Sequence, residues 1–149
     1  MALTFRLKKH RLEDGSITYH PYVKVVLSNK GKSKETTAVL DTGADLIYIP
    51  QEIAEYFELP LSKKTFECKS PQGSFEYKTS KMLIEIGKGH EKHKKEFIVT
   101  IPVGKGEYDE VILGVEFLAQ FKITFDYANE RMVLKKSEKR TDFTKMKVR

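Results

Sequence analysis

Apolar and polar residues alternate over Leu3-Thr4-Phe5-Arg6-Leu7-Lys8, the period of a strand that buries one face. Turn-forming Glu13-Asp14-Gly15-Ser16 follows, and residues 17–27 resume with Tyr and Val, so this stretch predicts a β-hairpin. A second turn at Asn29-Lys30-Gly31-Lys32 leads to a β-branched strand over 35–40, which runs directly into Asp41-Thr42-Gly43. After a short strand at 46–49, Pro50 stands where a helix can begin, and 51–57 place apolar residues at helical spacing behind an acidic first turn. Phe66 and Cys68, then Phe75 and Tyr77, alternate with polar residues on either side of Ser70-Pro71-Gln72-Gly73, predicting a second hairpin tipped by Pro71, Gln72 and Gly73. Residues 82–86 and 97–101 read as buried strands separated by a charged loop over 87–95. The chain then offers a strand at 111–114, a helical stretch at 116–121, a strand at 122–127, a turn at 128–130 and a strand at 131–135. Close-spaced short strands with one or two short helices predict a mostly β domain, and no internal repeat is present.

Length and composition narrow this picture. A chain of 149 residues, 40% hydrophobic, fits one domain with its own core. The longest run without a charged residue is residues 15–23, far short of the roughly 20 apolar residues of a spanning helix, so no membrane partner is expected. Arg6, Lys8 and Lys9 occupy the place of a secretory apolar segment, and cytoplasmic residence is the expectation. The single cysteine, Cys68, has no partner for a disulfide within the chain. The net charge of +6 concentrates in residues 135–149, where seven Lys or Arg face only Glu138 and Asp142. The domain is therefore taken as residues 1–135 and a basic tail as 136–149, a solvated terminus rather than a dedicated nucleic-acid surface.

The chemistry sits in Asp41-Thr42-Gly43, a loop at a strand end. Three residues alone carry little weight, but Thr37-Ala38-Val39-Leu40 feeds the motif, Ala44-Asp45 follows it, and Ile112-Leu113-Gly114 with a helical stretch behind it comes later. Leu40-Asp41-Thr42-Gly43-Ala44-Asp45 together with Ile112-Leu113-Gly114 resembles the retropepsin family of aspartic proteases, over roughly residues 3–135. The resemblance implies a closed acid-protease β-barrel with a flap hairpin, and an endopeptidase that hydrolyses peptide bonds without cofactor or metal.

Such hydrolysis needs one carboxylate to take a proton from water and one carboxylic acid to serve the scissile carbonyl. Two aspartates sharing a proton fill both roles, because like charges about 3 Å apart cannot both ionise; aspartic proteases are the standard illustration. This sequence has one Asp-Thr-Gly and no Asp-Ser-Gly, half of such a pair. A twofold homodimer would supply the other half as Asp41 of a second copy.

By resemblance, Thr42 would brace the two loops across the axis, and Gly43 would let substrate backbone approach closely. Ala44, where pepsins have Ser, would leave the pair less acidic. Asp45 would contact substrate main chain, Pro71, Gln72 and Gly73 would tip the flap, and Ile112, Leu113 and Gly114 would pass behind the aspartate loop. In many retroviral members an arginine follows the Ile-Leu-Gly element and pairs with the acid at the position of Asp45. Here Val115 and Glu116 follow, a pattern closer to the cellular and prokaryotic relatives, and Asp45 is left open to an ordinary surface ion pair.

Other chemistries find little support. His90 and His93 lie in a lysine-rich stretch without an evident third ligand, which argues for a solvated loop rather than a metal site. His10 and His20 have no nucleophile nearby in sequence, and neither a phosphate-binding glycine loop nor a serine elbow occurs. The principal alternative is a dimeric binding module that keeps the fold without turnover, in one version contacting nucleic acid through the basic tail.

Overall fold

The computed structural model describes residues 2–71, 73–104 and 109–137, and among these the alternating segments form twelve strands and two short helices. In chain order they are β1 (Ala2–Arg6), β2 (Lys8–Arg11), β3 (Ile17–His20), β4 (Tyr22–Asn29), β5 (Lys32–Leu40), β6 (Ile47–Tyr48), α1 (Gln51–Tyr56), β7 (Phe66–Ser70), β8 (Gly73–Lys88), β9 (Glu91–Pro102), β10 (Val111–Leu113), α2 (Val115–Leu118), β11 (Phe121–Asp126) and β12 (Arg131–Lys136).

The largest sheet runs β4-β5-β10-β6-β9-β8-β7, and β4 also pairs with β8. That last pairing closes six strands into a barrel, leaving β7 as a projecting partner of β8. Closure removes the open edges that would otherwise invite association with other chains. The barrel interior takes every second side chain: Val23, Val25 and Leu27 from β4, Met82, Ile84 and Ile86 from β8, and Val99 and Ile101 from β9 are all buried. A three-stranded sheet, β1-β12-β11, covers one end and adds Leu3, Met132 and Leu134 to the same core. The fold is mostly β with two short helices, as the alternation predicts, and its main sheet is a closed barrel, as the resemblance implies. Among the described residues no helix is long and apolar enough to cross a membrane.

Four local expectations need correction. Residues 3–8 do not pair with 17–27 in one hairpin: β1 crosses to β12, with Leu3 opposite Leu134, and only β2 and β3 form the hairpin. The break falls at Leu7, whose side chain is buried and whose N–H donates to the Glu130 carbonyl. Burying Leu7 turns the chain, and Pro21, which has no N–H to give a ladder, separates β3 from β4. The helix expected at 116–121 is Val115–Leu118, because the buried Phe121 is drawn into β11. β12 ends at Lys136, one residue past the strand expected at 131–135; residues 138–149 of the basic tail lie outside the described residues.

The fourth correction concerns residues 87–95. Instead of a charged loop, β8 and β9 form a long hairpin through a tight turn at Gly89-His90, with Lys88 opposite Glu91 and Ile86 opposite His93. Lysines on the outward positions conceal the alternation, but His93 is only 7% exposed, and its ring meets Phe121 edge-on at 4.9 Å. Its Nε2 is buried without a hydrogen-bond partner. Burial, and then the nearby Lys136 and Lys95 charges, lower the His93 pKa below its ordinary value.

This buried imidazole makes stability depend on pH. The unfolded chain takes up the histidine proton near about pH 6.5, whereas the folded chain does so only at lower pH. Between those values the unfolded state holds more protons, so stability is full above the unfolded value and falls as pH drops toward the folded one. His93→Leu should therefore lose less of its melting temperature than wild type between pH 7 and pH 5. It should also be no less stable at pH 7, since an unsatisfied buried polar atom costs about 1–3 kcal/mol. Equal pH slopes in thermal unfolding would refute this role.

Candidate active site

β5 delivers Asp41 to the end of the barrel wall, and the loop that follows is tied down by main-chain bonds. The Leu40 N–H donates to the Pro21 carbonyl at 3.0 Å, the Asp41 N–H to the Leu113 carbonyl at 3.1 Å and the Ala44 N–H to the Asp41 carbonyl at 3.2 Å. From the other side, the N–H groups of Gly114, Val115 and Glu116 donate to the carbonyls of Leu46, Ala44 and Asp45 at 3.1, 2.8 and 3.0 Å. Residues 41–46 and 113–116 thus form one interlocked unit, although about 70 residues of sequence separate them.

Close approach requires one glycine of this unit and favours a second. A Cβ on Gly114 would stand 2.3 Å from the Leu46 carbonyl oxygen and 2.4 Å from that of Ala44, distances that no side chain tolerates against backbone. A Cβ on Gly43 would lie 3.2 Å from Asp41 Oδ1, tight but less severe. The Gly43 N–H donates to that same oxygen at 2.8 Å, which fixes the carboxylate's orientation.

Asp41 is partly exposed, Thr42, Gly43 and Asp45 are exposed, and Ala44 is intermediate. Among the described residues no ion pair engages the Asp45 carboxylate within 4.0 Å. Ile112, Leu113 and Gly114 lie directly beside the loop: Ile112 is opposite Val39 and Leu113 opposite Leu40 in the parallel β10–β5 ladder. Pro71 and Gly73 sit at the end of the β7–β8 hairpin, where Ser70 pairs with Gly73, and Gln72 lies outside the described residues.

Several residues around this loop escape sequence inspection. Tyr22 pairs with Val39, and its hydroxyl donates to Glu110 Oε1 at 3.2 Å across 88 residues of sequence. Burial, followed by the charge of Glu110, raises the Tyr22 pKa. Tyr48 is opposite Ile112 in the β10–β6 ladder, and its ring centroid lies 6.0 Å from that of Phe75 on the β7–β8 hairpin. Phe66 and Tyr77 stack behind it at 5.5 Å. An aromatic strip therefore connects the projecting hairpin to the sheet row beside Asp41. Glu116, half-buried at the start of α2, has its pKa raised by burial, partly opposed by Lys95. No group of three or more His, Cys, Asp or Glu able to hold a metal ion occurs among the described residues.

In fold the chain is similar to a retropepsin-like aspartic protease from Rickettsia conorii, at 18% identity over 90% of this chain and 91% of that one, with a TM-score of 0.57. It also matches the Simian Foamy Virus (mac) protease, at 20% identity over 62% of this chain and 86% of that one, with a TM-score of 0.43. A third match is the EIAV protease complexed with the inhibitor HBY-793, at 18% identity over 66% and 85%, with a TM-score of 0.44. No curated protein sequence matches the chain. The family model described as retroviral aspartyl protease matches residues 17–126, from the start of β3 to the end of β11, and the chain belongs to that family.

Proposed function

We propose that the protein is an aspartic endopeptidase that uses a water held between Asp41 and Asp41 of a second copy to hydrolyse peptide bonds. One observation carries the reading. In a member of this family, Asp41 stands part-exposed at a strand end, with Oδ1 held by the Gly43 N–H and its loop braced from behind by residues 113–116. A single such loop per chain is half of a two-carboxylate site, so activity requires a homodimer. In the dimer one carboxylate accepts the water proton while the other, protonated, donates to the substrate carbonyl. Thr42 braces the two loops, the β7–β8 hairpin with Pro71, Gln72 and Gly73 at its tip closes over the peptide, and Asp45 contacts the substrate main chain. Residues 1–135 form the protease domain and 136–149 a basic tail, with cytoplasmic peptides or proteins as substrates and no cofactor.

Titration with a statine-type transition-state analogue tests the half-site directly. The expected stoichiometry is one inhibitor per two chains, with tightly bound inhibitor shifting the chain to dimer in analytical ultracentrifugation. Saturation at one inhibitor per chain, or a monomer that cleaves peptides, would be incompatible with this proposal.

A further inference from the structure

We infer that Glu110 makes the enzyme prefer a cationic side chain, lysine or arginine, at one substrate position next to the scissile bond. The inference rests on the reading of Asp41 as the catalytic aspartate.

The geometry begins with strand alternation. Val23, Ala38, Leu40, Val111 and Leu113 point into the barrel and are buried, so their neighbours Tyr22, Val39 and Ile112 face the other way, and all three are of intermediate exposure. The ladders place Tyr22 opposite Val39 and Val39 opposite Ile112, making one continuous row. Asp41 lies two residues after Val39, and Glu110 two residues before Ile112. Both fall on the face of this row by the same alternation, and because β5 and β10 run parallel, Asp41 stands beyond one end of it and Glu110 beyond the other. The Tyr22–Glu110 hydrogen bond of 3.2 Å fixes the carboxylate at the end of the shelf.

A substrate side chain lying along Val39 and Ile112 meets aliphatic surface first and then a carboxylate beside a tyrosine ring. Lysine and arginine have that construction, an apolar stem ending in a cation. Glu110 is exposed, and among the described residues no cation lies within 4.0 Å of its carboxylate. Lys8, the nearby ammonium, sits over the Tyr22 ring instead, with Nζ 5.2 Å from the centroid. The ring face thus already accepts one cation, in keeping with its quadrupole. A purely aliphatic substrate residue would use the shelf but leave Glu110 unmatched.

The test compares paired peptides that differ only by lysine or norleucine at each position flanking the cleaved bond, using the full-length wild type, Glu110→Gln and Glu110→Lys. The readout is the ratio of kcat/KM for the two peptides within each enzyme, from which any difference in folded fraction cancels. Wild type should favour lysine about fivefold at one position, the scale of a solvent-accessible ion pair. The ratio should fall to about one in Glu110→Gln and invert in Glu110→Lys, and the wild-type preference should shrink as salt is raised. An active wild type with no lysine preference at any position, or a ratio unchanged in Glu110→Gln, overturns the assignment of Glu110 alone. If wild type cleaves neither peptide, or Asp41→Asn cleaves both as well as wild type does, the catalytic reading fails and this inference with it.

Discussion

Asp41→Asn should lower the turnover of any cleaved peptide by at least about 10³-fold, within the range over which a positioned acid–base group contributes, while leaving the fold intact. The two halves of this expectation follow from different parts of the structure. Asparagine has the shape of aspartate, and its Oδ1 can still accept the Gly43 N–H now bonded to the carboxylate at 2.8 Å. The main-chain bonds that brace the loop, from Asp41 to Leu113 and from residues 114–116 to 44–46, involve no side chain of residue 41. The melting temperature should accordingly stay within about 2 °C of wild type, as for substitutions that disturb no packing or buried polar group. Chemistry is affected differently, because the proposed symmetric site would lose both of its carboxylates at once. Neither a base for the water nor an acid for the carbonyl remains, and groups acting as a unit fail together. Mixing excess Asp41→Asn chains with wild type should suppress activity beyond simple dilution as subunits exchange. A variant that cleaves like wild type, or a mixture in which activity follows the wild-type fraction linearly, would exclude a shared two-aspartate site.

What the sequence discloses of this arrangement depends on range. Where an element is defined by its own residues, alternation and turn chemistry suffice: the strand ending at Leu40, the helix after Pro50 and the hairpin around Pro71 all lie where local pattern places them. Partnerships between distant segments are another matter. Leu3-Thr4-Phe5-Arg6 reads as a strand with one buried face, but nothing local announces that its partner is β12, more than a hundred residues on. The sharp turn at Leu7 depends on a bond to Glu130 that no neighbouring residue signals. At His93 the difficulty is compositional, since Lys92, Lys94 and Lys95 give a strand with one polar face the look of a solvated loop. The site divides in the same way. Asp41-Thr42-Gly43 is visible as a motif, whereas Tyr22 and Glu110 become neighbours only through the ladders β4–β5–β10. Gly114 is the clearest case: its place in Ile112-Leu113-Gly114 supports a family resemblance, but the physical reason for glycine is the backbone of Ala44 and Leu46 pressed against it.

That contact leads to the second large effect. Gly114→Ala should destabilise the protein by roughly 3 kcal/mol, the upper part of the usual range for forcing extra atoms into a packed site. For a domain of this size that corresponds to a fall of about 6–12 °C in melting temperature. The added methyl would meet carbonyl oxygens at 2.3 and 2.4 Å and the Ala44 carbonyl carbon at 2.8 Å. No flexible side chain is available to move aside, so the two segments of backbone must separate. Separation strains the bonds from Gly114, Val115 and Glu116 to residues 44–46, the same bonds that hold the Asp41 loop in place. Stability and activity should therefore fall together. Gly43→Ala supplies the contrast, because its methyl would meet only Asp41 Oδ1, at 3.2 Å. A shift of a few tenths of an ångström in the carboxylate relieves that contact, so the melting temperature should change by less than about 2 °C, as expected away from buried packing. Cleavage should still fall sharply in Gly43→Ala, because small displacements of a reacting group cost orders of magnitude in rate. Differential scanning calorimetry alongside peptide cleavage separates the two variants. If Gly114→Ala melts with wild type, the 113–116 segment does not brace the loop, and the interlocked unit cannot be what positions Asp41.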